Sequence, residues 1–220
     1  MLRIGLLLCC WLASGGFLKA DGQKFALLVG VERYQHAKLG ELQFCADDVR
    51  RLEQLLTAQG FRCVVLANDS ESTAPAVPAP RQPTAANIRQ ALANLLYRDG
   101  RALVDKNDLF LLVLTGHGLQ PLGDPQPYFC PQDANPTVLT DDQGKQSLRF
   151  PETLLGIGNL LKELDDSGIG SKLILVDACR DAPLLKGSKG IDDFAFELLP
   201  RQCGVLLSCS QGEFSFENPT

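Results

Sequence analysis

Two runs decide how this chain folds: Leu109-Phe-Leu-Leu-Val-Leu-Thr-Gly-His-Gly118 and Lys172-Leu-Ile-Leu-Val-Asp-Ala-Cys-Arg-Asp181. Each is an apolar, β-prone stretch that stops abruptly at a chemically capable side chain. One delivers His117, the other Cys179. Parallel strands lying side by side would bring both to the carboxyl-terminal edge of one sheet, where open α/β folds place their sites. A thiol beside an imidazole is a nucleophile beside its base.

The elements around these runs alternate. Phe25–Val31 reads as a buried strand, and Cys45–Gln59 carries Val49, Leu52, Leu55 and Leu56 at helical spacing before Gly60. Phe61–Ala67 predicts a second strand, and residues 68–83 a Pro-, Ala- and Ser-rich loop. Thr84 is a fitting N-cap for a helix to about Tyr97 through Ile88, Leu92, Leu95 and Leu96. A third strand spans Leu109–Thr115, and the long segment from Leu119 to Arg149 holds a short apolar piece at Tyr128–Cys130. Pro151 suits the first turn of a helix with Leu154, Leu155, Ile157, Leu160, Leu161 and Leu164 on its apolar face. Strands at Lys172–Val176 and Gly204–Ser208 follow, separated by a linker from Asp181 to Gln202. This order predicts an α/β fold with a mostly parallel central sheet and helices on both faces.

The 220 residues are 45% apolar, which fits one globular domain with a real core. A net charge of −5 gives no support for nucleic-acid or anionic-membrane binding. Residues 1–20 have the layout of a secretory signal peptide: Arg3, an apolar stretch from Ile4 to Leu18, then Lys19-Ala20 before a polar start. The expectation is therefore export, to a periplasm or the exterior, with no stable membrane insertion once the signal is removed; an uncleaved anchor is the alternative. Beyond it lie Cys45, Cys63, Cys130, Cys179, Cys203 and Cys209. They show no zinc spacing and no CxxC, and most sit in apolar runs as core thiols.

Of the two histidines, His36 lies in the polar loop Arg33–Lys38 and reads as a solvated surface residue. His117 stands between Gly116 and Gly118, which let backbone come close to a ligand. Cys179 follows a buried strand and is flanked by charge at Asp177, Arg180 and Asp181.

Together Phe25–Val31, Cys45-Ala-Asp-Asp-Val49, Thr115-Gly-His-Gly118 and Asp177-Ala-Cys-Arg180 resemble the caspase-type cysteine peptidase superfamily, and within it bacterial metacaspase-like members. The resemblance runs in order over about residues 25 to 217 and implies a three-layer caspase-like fold for a domain spanning 23–220. The caspase signature is Gln-Ala-Cys-[Arg/Gln/Gly]-Gly with its His ~50 residues upstream. Here His117 precedes Cys179 by 62 residues, Asp177 replaces the Gln and Asp181 the Gly. Caspases cut after Asp through a basic pocket, whereas metacaspases cut after Arg or Lys and line that pocket with carboxylates. The resemblance assigns those carboxylates to Asp48 and Asp177, with Thr115 and Cys45 as further pocket positions. Two carboxylates suit a guanidinium, because the pairing is charge-assisted and can be bidentate. Read alone, Asp48 is equally a helix-start acid and Asp177 a turn residue.

The resemblance further implies a His117–Cys179 dyad with the amides of Gly118 and Cys179 holding the oxyanion. Its substrates would be proteins or peptides with Arg or Lys at the cleavage site, and it requires no cofactor. Lys186, Lys189 and Arg201 in the linker are candidate self-cleavage sites. Some metacaspases bind Ca²⁺ through aspartates after the catalytic His, and Asp133, Asp141 and Asp142 lie there; an ordinary acidic loop is the stronger reading. Caspase-type domains continue past the strand matching Gly204–Ser208 with a helix-rich segment and a final strand, so these 220 residues are expected to lack that part; either it follows Thr220, or Thr220 is the true end and the sheet has an exposed edge. The competing function is an inactive caspase-like scaffold, since fold alone grants no activity; the presence of both His117 and Cys179 argues against it. A nucleotide-binding module lacks support, because no GxGxxG or Walker pattern follows a strand.

Overall fold

The computed structural model describes residues 22–68, 81–121, 124, 126–179 and 202–207, and of residue 179 the backbone. The signal segment, most of the 181–202 linker with Lys186, Lys189 and Arg201, and Cys209 lie outside the described residues.

The elements in chain order are β1 (Lys24–Val31), α1 (Cys45–Ala58), β2 (Phe61–Asn68), α2 (Ala85–Leu96), β3 (Tyr97–Arg98), β4 (Arg101–Ala102) and β5 (Leu109–Leu119). Then come β6 (Tyr128–Phe129), β7 (Val138–Thr140), β8 (Gln146–Leu148), β9 (Leu155–Gly156), α3 (Ile157–Asp166), β10 (Ser171–Cys179) and β11 (Cys203–Leu207). Five parallel strands form the central sheet in the order β11-β10-β5-β1-β2, and β6 and β9 extend it with antiparallel pairs.

Alternation along the central strands sorts their side chains onto two covered faces. Phe25, Leu27 and Val29 of β1, with Phe110, Leu112 and Leu114 of β5 and Ile174 and Val176 of β10, meet Ile88 and Leu92 of α2 and Leu160, Leu161 and Leu164 of α3. Ala26, Leu28, Leu111, Val113 and Leu175 turn the other way, against Ala46, Val49 and Leu56 of α1. Strands buried on both faces read as continuous apolar runs, which is why the sheet was visible in the sequence.

Several boundaries differ from the sequence expectation. β5 runs on to Leu119 and β10 to Cys179, so the site residues lie within the strand ends rather than beyond them. Backbone pairing continues after the apolar run stops: β10 still pairs with Gly116 and His117, and β6 takes over with Gly118 and Leu119 after β1 has ended at Thr115. The helix expected from Pro151 is split. Pro151–Thr153 forms a single 3₁₀ turn, Leu155–Gly156 pairs with Tyr128–Phe129, and α3 starts only at Ile157, whose N–H donates to Pro127 O at 2.9 Å. All six predicted apolar residues are nonetheless buried. The last strand is shifted by one residue, to Cys203–Leu207.

Candidate active site

β5 and β10 pair in parallel so that Asp177 is the Cα partner of Thr115, Ala178 of Gly116 and Cys179 of His117. Neighbouring strands lie about 4.8 Å apart. His117 and Cys179 therefore share one rung at the carboxyl edge of the sheet. Alternation puts Thr115 and Asp177 on the face that α1 covers, the same face as Leu111, Val113 and Leu175.

His117 is buried and held from three directions. Its N–H donates to Tyr34 Oη at 2.7 Å, and its carbonyl accepts from Cys130 N at 2.9 Å. Its Nε2 lies 2.9 Å from Gly40 O. A carbonyl oxygen can only accept, so Nε2 carries the proton and Nδ1 is the basic nitrogen of the neutral ring. The Tyr34 ring lies against the imidazole, with centroids 4.9 Å apart and planes tilted by 40°. Gly116 is required for this arrangement. Its φ is 155°, and a Cβ there would meet Tyr34 Oη at 2.7 Å and the Phe129 ring at 3.2 Å.

The acidic residues come together as well. Burial, and after it the negative charge of Asp177, raise the Asp48 carboxyl above its ordinary pKa; Arg51 opposes this and Asp47 adds to it. Asp48 lies in the first turn of α1, whose start is pressed onto β1. A Cβ on Gly30 would sit 2.5 Å from Cys45 O. Thr115 Oγ1 lies 3.3 Å from both Val29 O and Cys45 O, so its hydroxyl ties the helix start to the sheet. Cys45 and Thr115 thus build the wall that carries Asp48.

Cys63, Cys130 and Cys203 are free thiols. Burial pushes the Cys130 thiol up to about 12, and raises Cys63 and Cys203 as well. Two of the three calcium candidates serve local structure: Asp133 Oδ1 accepts from Ala85 N at the start of α2, and Asp141 Oδ1 accepts from Gln143 N and Lys145 N in the β7–β8 turn. Among the described residues no three His, Cys, Asp or Glu side chains gather as a metal site.

Three contributors escaped the sequence reading: Tyr34, Gly40 and Glu32, all on or beside the loop that leaves β1. Glu32 Oε1 accepts from Ala46 N at 2.9 Å, capping α1 where its own N-cap, Phe44, gives no side-chain bond. The available signal was position alone, because this loop starts at the same sheet edge as His117.

The sequence matches the family model described as the caspase domain over residues 23–220. Among solved structures, a crystal structure of a protein from Geobacter sulfurreducens is similar at 19% identity and a TM-score of 0.47, covering 71% of this chain. The aligned part is 50% of that protein, so the chain spans half the length of this solved relative. No curated protein matches.

Proposed function

The chain belongs to the caspase-domain family of cysteine peptidases, and on that premise we propose that it is an endopeptidase that uses a His117–Cys179 dyad to cut after Arg or Lys. The observation that carries the reading is the pairing of His117 with Cys179 across β5 and β10. Cys179 attacks the scissile carbonyl as thiolate, having lost its proton to His117 Nδ1. The imidazolium then protonates the leaving amine, and the neutral ring activates water against the acyl-enzyme. Throughout, Nε2–H stays on Gly40 O, which fixes the ring.

The amides of Gly118 and Cys179 hold the oxyanion; loss of one such donor costs ~3 kcal/mol of transition-state stabilisation. Support comes from strand geometry. The N–H and C=O of His117 are taken up by Tyr34 and Cys130, so those of Gly118 face the opposite edge, toward β10. Specificity for a basic residue rests on Asp48 and Asp177, whose mutual repulsion a guanidinium or ammonium group would relieve. Self-cleavage at Lys186, Lys189 or Arg201 and export through residues 1–20 belong to the same proposal.

Fluorogenic peptides ending in Arg, Lys or Asp, offered with and without Ca²⁺ to the wild type and to Cys179→Ala, test it. Turnover after Arg or Lys that disappears in Cys179→Ala is expected. No turnover of any peptide, with no labelling of Cys179 by a thiol-reactive peptide, would establish the inactive scaffold instead. Faster cleavage after Asp would overturn the specificity alone.

A further inference from the structure

Three contacts that hold His117, one on its backbone N–H and two on its imidazole, come from one segment, residues 32–44, which leaves β1 and returns as the start of α1. Tyr34 supplies the hydroxyl and the ring, Gly40 the carbonyl. Gly40 is exposed, so little packing holds its carbonyl in place. What closes the segment is a buried clasp at its base. Glu32 and Asn68 are 5% and 4% exposed, deep burial for a carboxylate and an amide, so their bonds must repay it. Asn68 Oδ1 accepts from Glu32 N at 2.8 Å and Arg33 N at 3.3 Å, while its Nδ2 donates to Arg33 O at 2.7 Å. Glu32 O accepts from Leu42 N at 2.9 Å, and Glu32 Oε1 accepts from Ala46 N. Both ends of the loop are thereby tied to one residue.

We infer that Glu32, Asn68 and Tyr34 are positioning residues for His117, the clasp fixing where Gly40 O stands and Tyr34 fixing the ring beside it. The inference rests on the peptidase reading for its kinetic consequences, but not for its geometry. Glu32 has a double duty. By bonding Ala46 N it also seats the first turn of α1, which carries Asp48. Loosening Glu32 therefore disturbs the imidazole and the acidic pocket together, whereas removing the Tyr34 hydroxyl loosens the His117 backbone that carries the ring and leaves the acidic pocket in place.

The test has two readouts. The chain has two histidines, His36 and His117, so ¹⁵N-imidazole spectra of the full chain in a Cys179→Ala background, assigned with His36→Gln, report the tautomer directly. At pH 8 the signal from His117 is expected to be the Nε2–H form, with Nδ1–H rising to a visible share in Tyr34→Phe and Glu32→Ala and falling back in Glu32→Gln. In the active chain, kcat per titrated active site falls on the order of tenfold in Tyr34→Phe at unchanged KM. Glu32→Ala lowers kcat and also raises KM for Arg-ended peptides, and Glu32→Gln restores both. Should Glu32→Ala fail to fold, Tyr34→Phe and Asn68→Asp carry the same expectation for the tautomer and for kcat. Tautomer and per-site kcat both unchanged in Tyr34→Phe would overturn the inference. A wild type without turnover whose tautomer still shifts in Tyr34→Phe would remove the peptidase reading and leave the positioning role standing.

Discussion

Asp48 on α1 and Asp177 on β10 come from helix and sheet, yet the charge of Asp177 helps raise the pKa of Asp48. Two carboxylates kept close at the edge of a sheet cost stability, which the proposed basic-residue pocket would repay by attracting a cation. That balance gives the first prediction. Because the folded-state pKa of Asp48 is raised, the folded chain binds more protons than the unfolded chain as pH falls through that value. The ionised carboxylate therefore costs stability at neutral pH, and the cost vanishes below the unfolded value of about 3.8. Asp48→Asn should melt above wild type at pH 7, with the gap closing as pH falls toward 4. A lower melting temperature at pH 7 would mean that the helix dipole outweighs burial and repulsion.

The same pair predicts how specificity depends on pH. A basic side chain needs both carboxylates charged, so KM for Arg-ended peptides should rise on acidification through the raised pKa of Asp48, before an ordinary carboxylate titrates. Asp48→Asn should flatten that rise and lower kcat/KM for Arg substrates by about ten- to a hundredfold, the worth of one charge-assisted bond. Asp177→Asn should lose a similar factor. Equal losses for Arg-ended and uncharged substrates would show that neither residue reads charge.

Thiol chemistry separates the cysteines. With its pKa near 12, Cys130 stays protonated at pH 7, and burial raises Cys63 and Cys203 in the same direction. Only the thiolate is alkylated. Iodoacetamide at pH 6.5 should therefore modify Cys179 well before these three, and His117→Ala should slow that reaction about tenfold or more. Cys130 should react only after denaturation. Peptide mapping by mass spectrometry reads all of this, and early labelling of Cys130 would contradict the packing behind His117.

The extent of sequence legibility follows from which forces set each feature. Runs such as Leu109–Leu114 and Leu173–Val176 announced the sheet because both of its faces are covered, and the capable residues at their ends announced the edge. The true strand ends at Leu119 and Cys179 were not legible, since they depend on backbone pairing with neighbours remote in sequence. The break before α3 hid for the same reason: Leu155 obeys the helical spacing but, with Gly156, is claimed by β6. Tyr34, Gly40 and Glu32 carried no pattern at all, because a loop's contacts depend on its path over the sheet edge.

The close approach of Tyr34 to Gly116 yields a last prediction that isolates one contact. In Gly116→Ala the new methyl meets Tyr34 Oη at 2.7 Å, while the Phe129 ring at 3.2 Å must yield by a few tenths of an ångström. The strained φ of 155° adds to the cost, so the substitution should destabilise by about 1–3 kcal/mol. Tyr34→Phe removes the atom that clashes first and loses its bond to His117 N. In the double variant the two losses should then not add. A denaturant double-mutant cycle should show the pair less destabilised than the sum of the singles by about 0.5 kcal/mol or more. Strict additivity would mean that the methyl is accommodated by a backbone shift at Gly116, and that Tyr34 Oη is not what keeps this position a glycine.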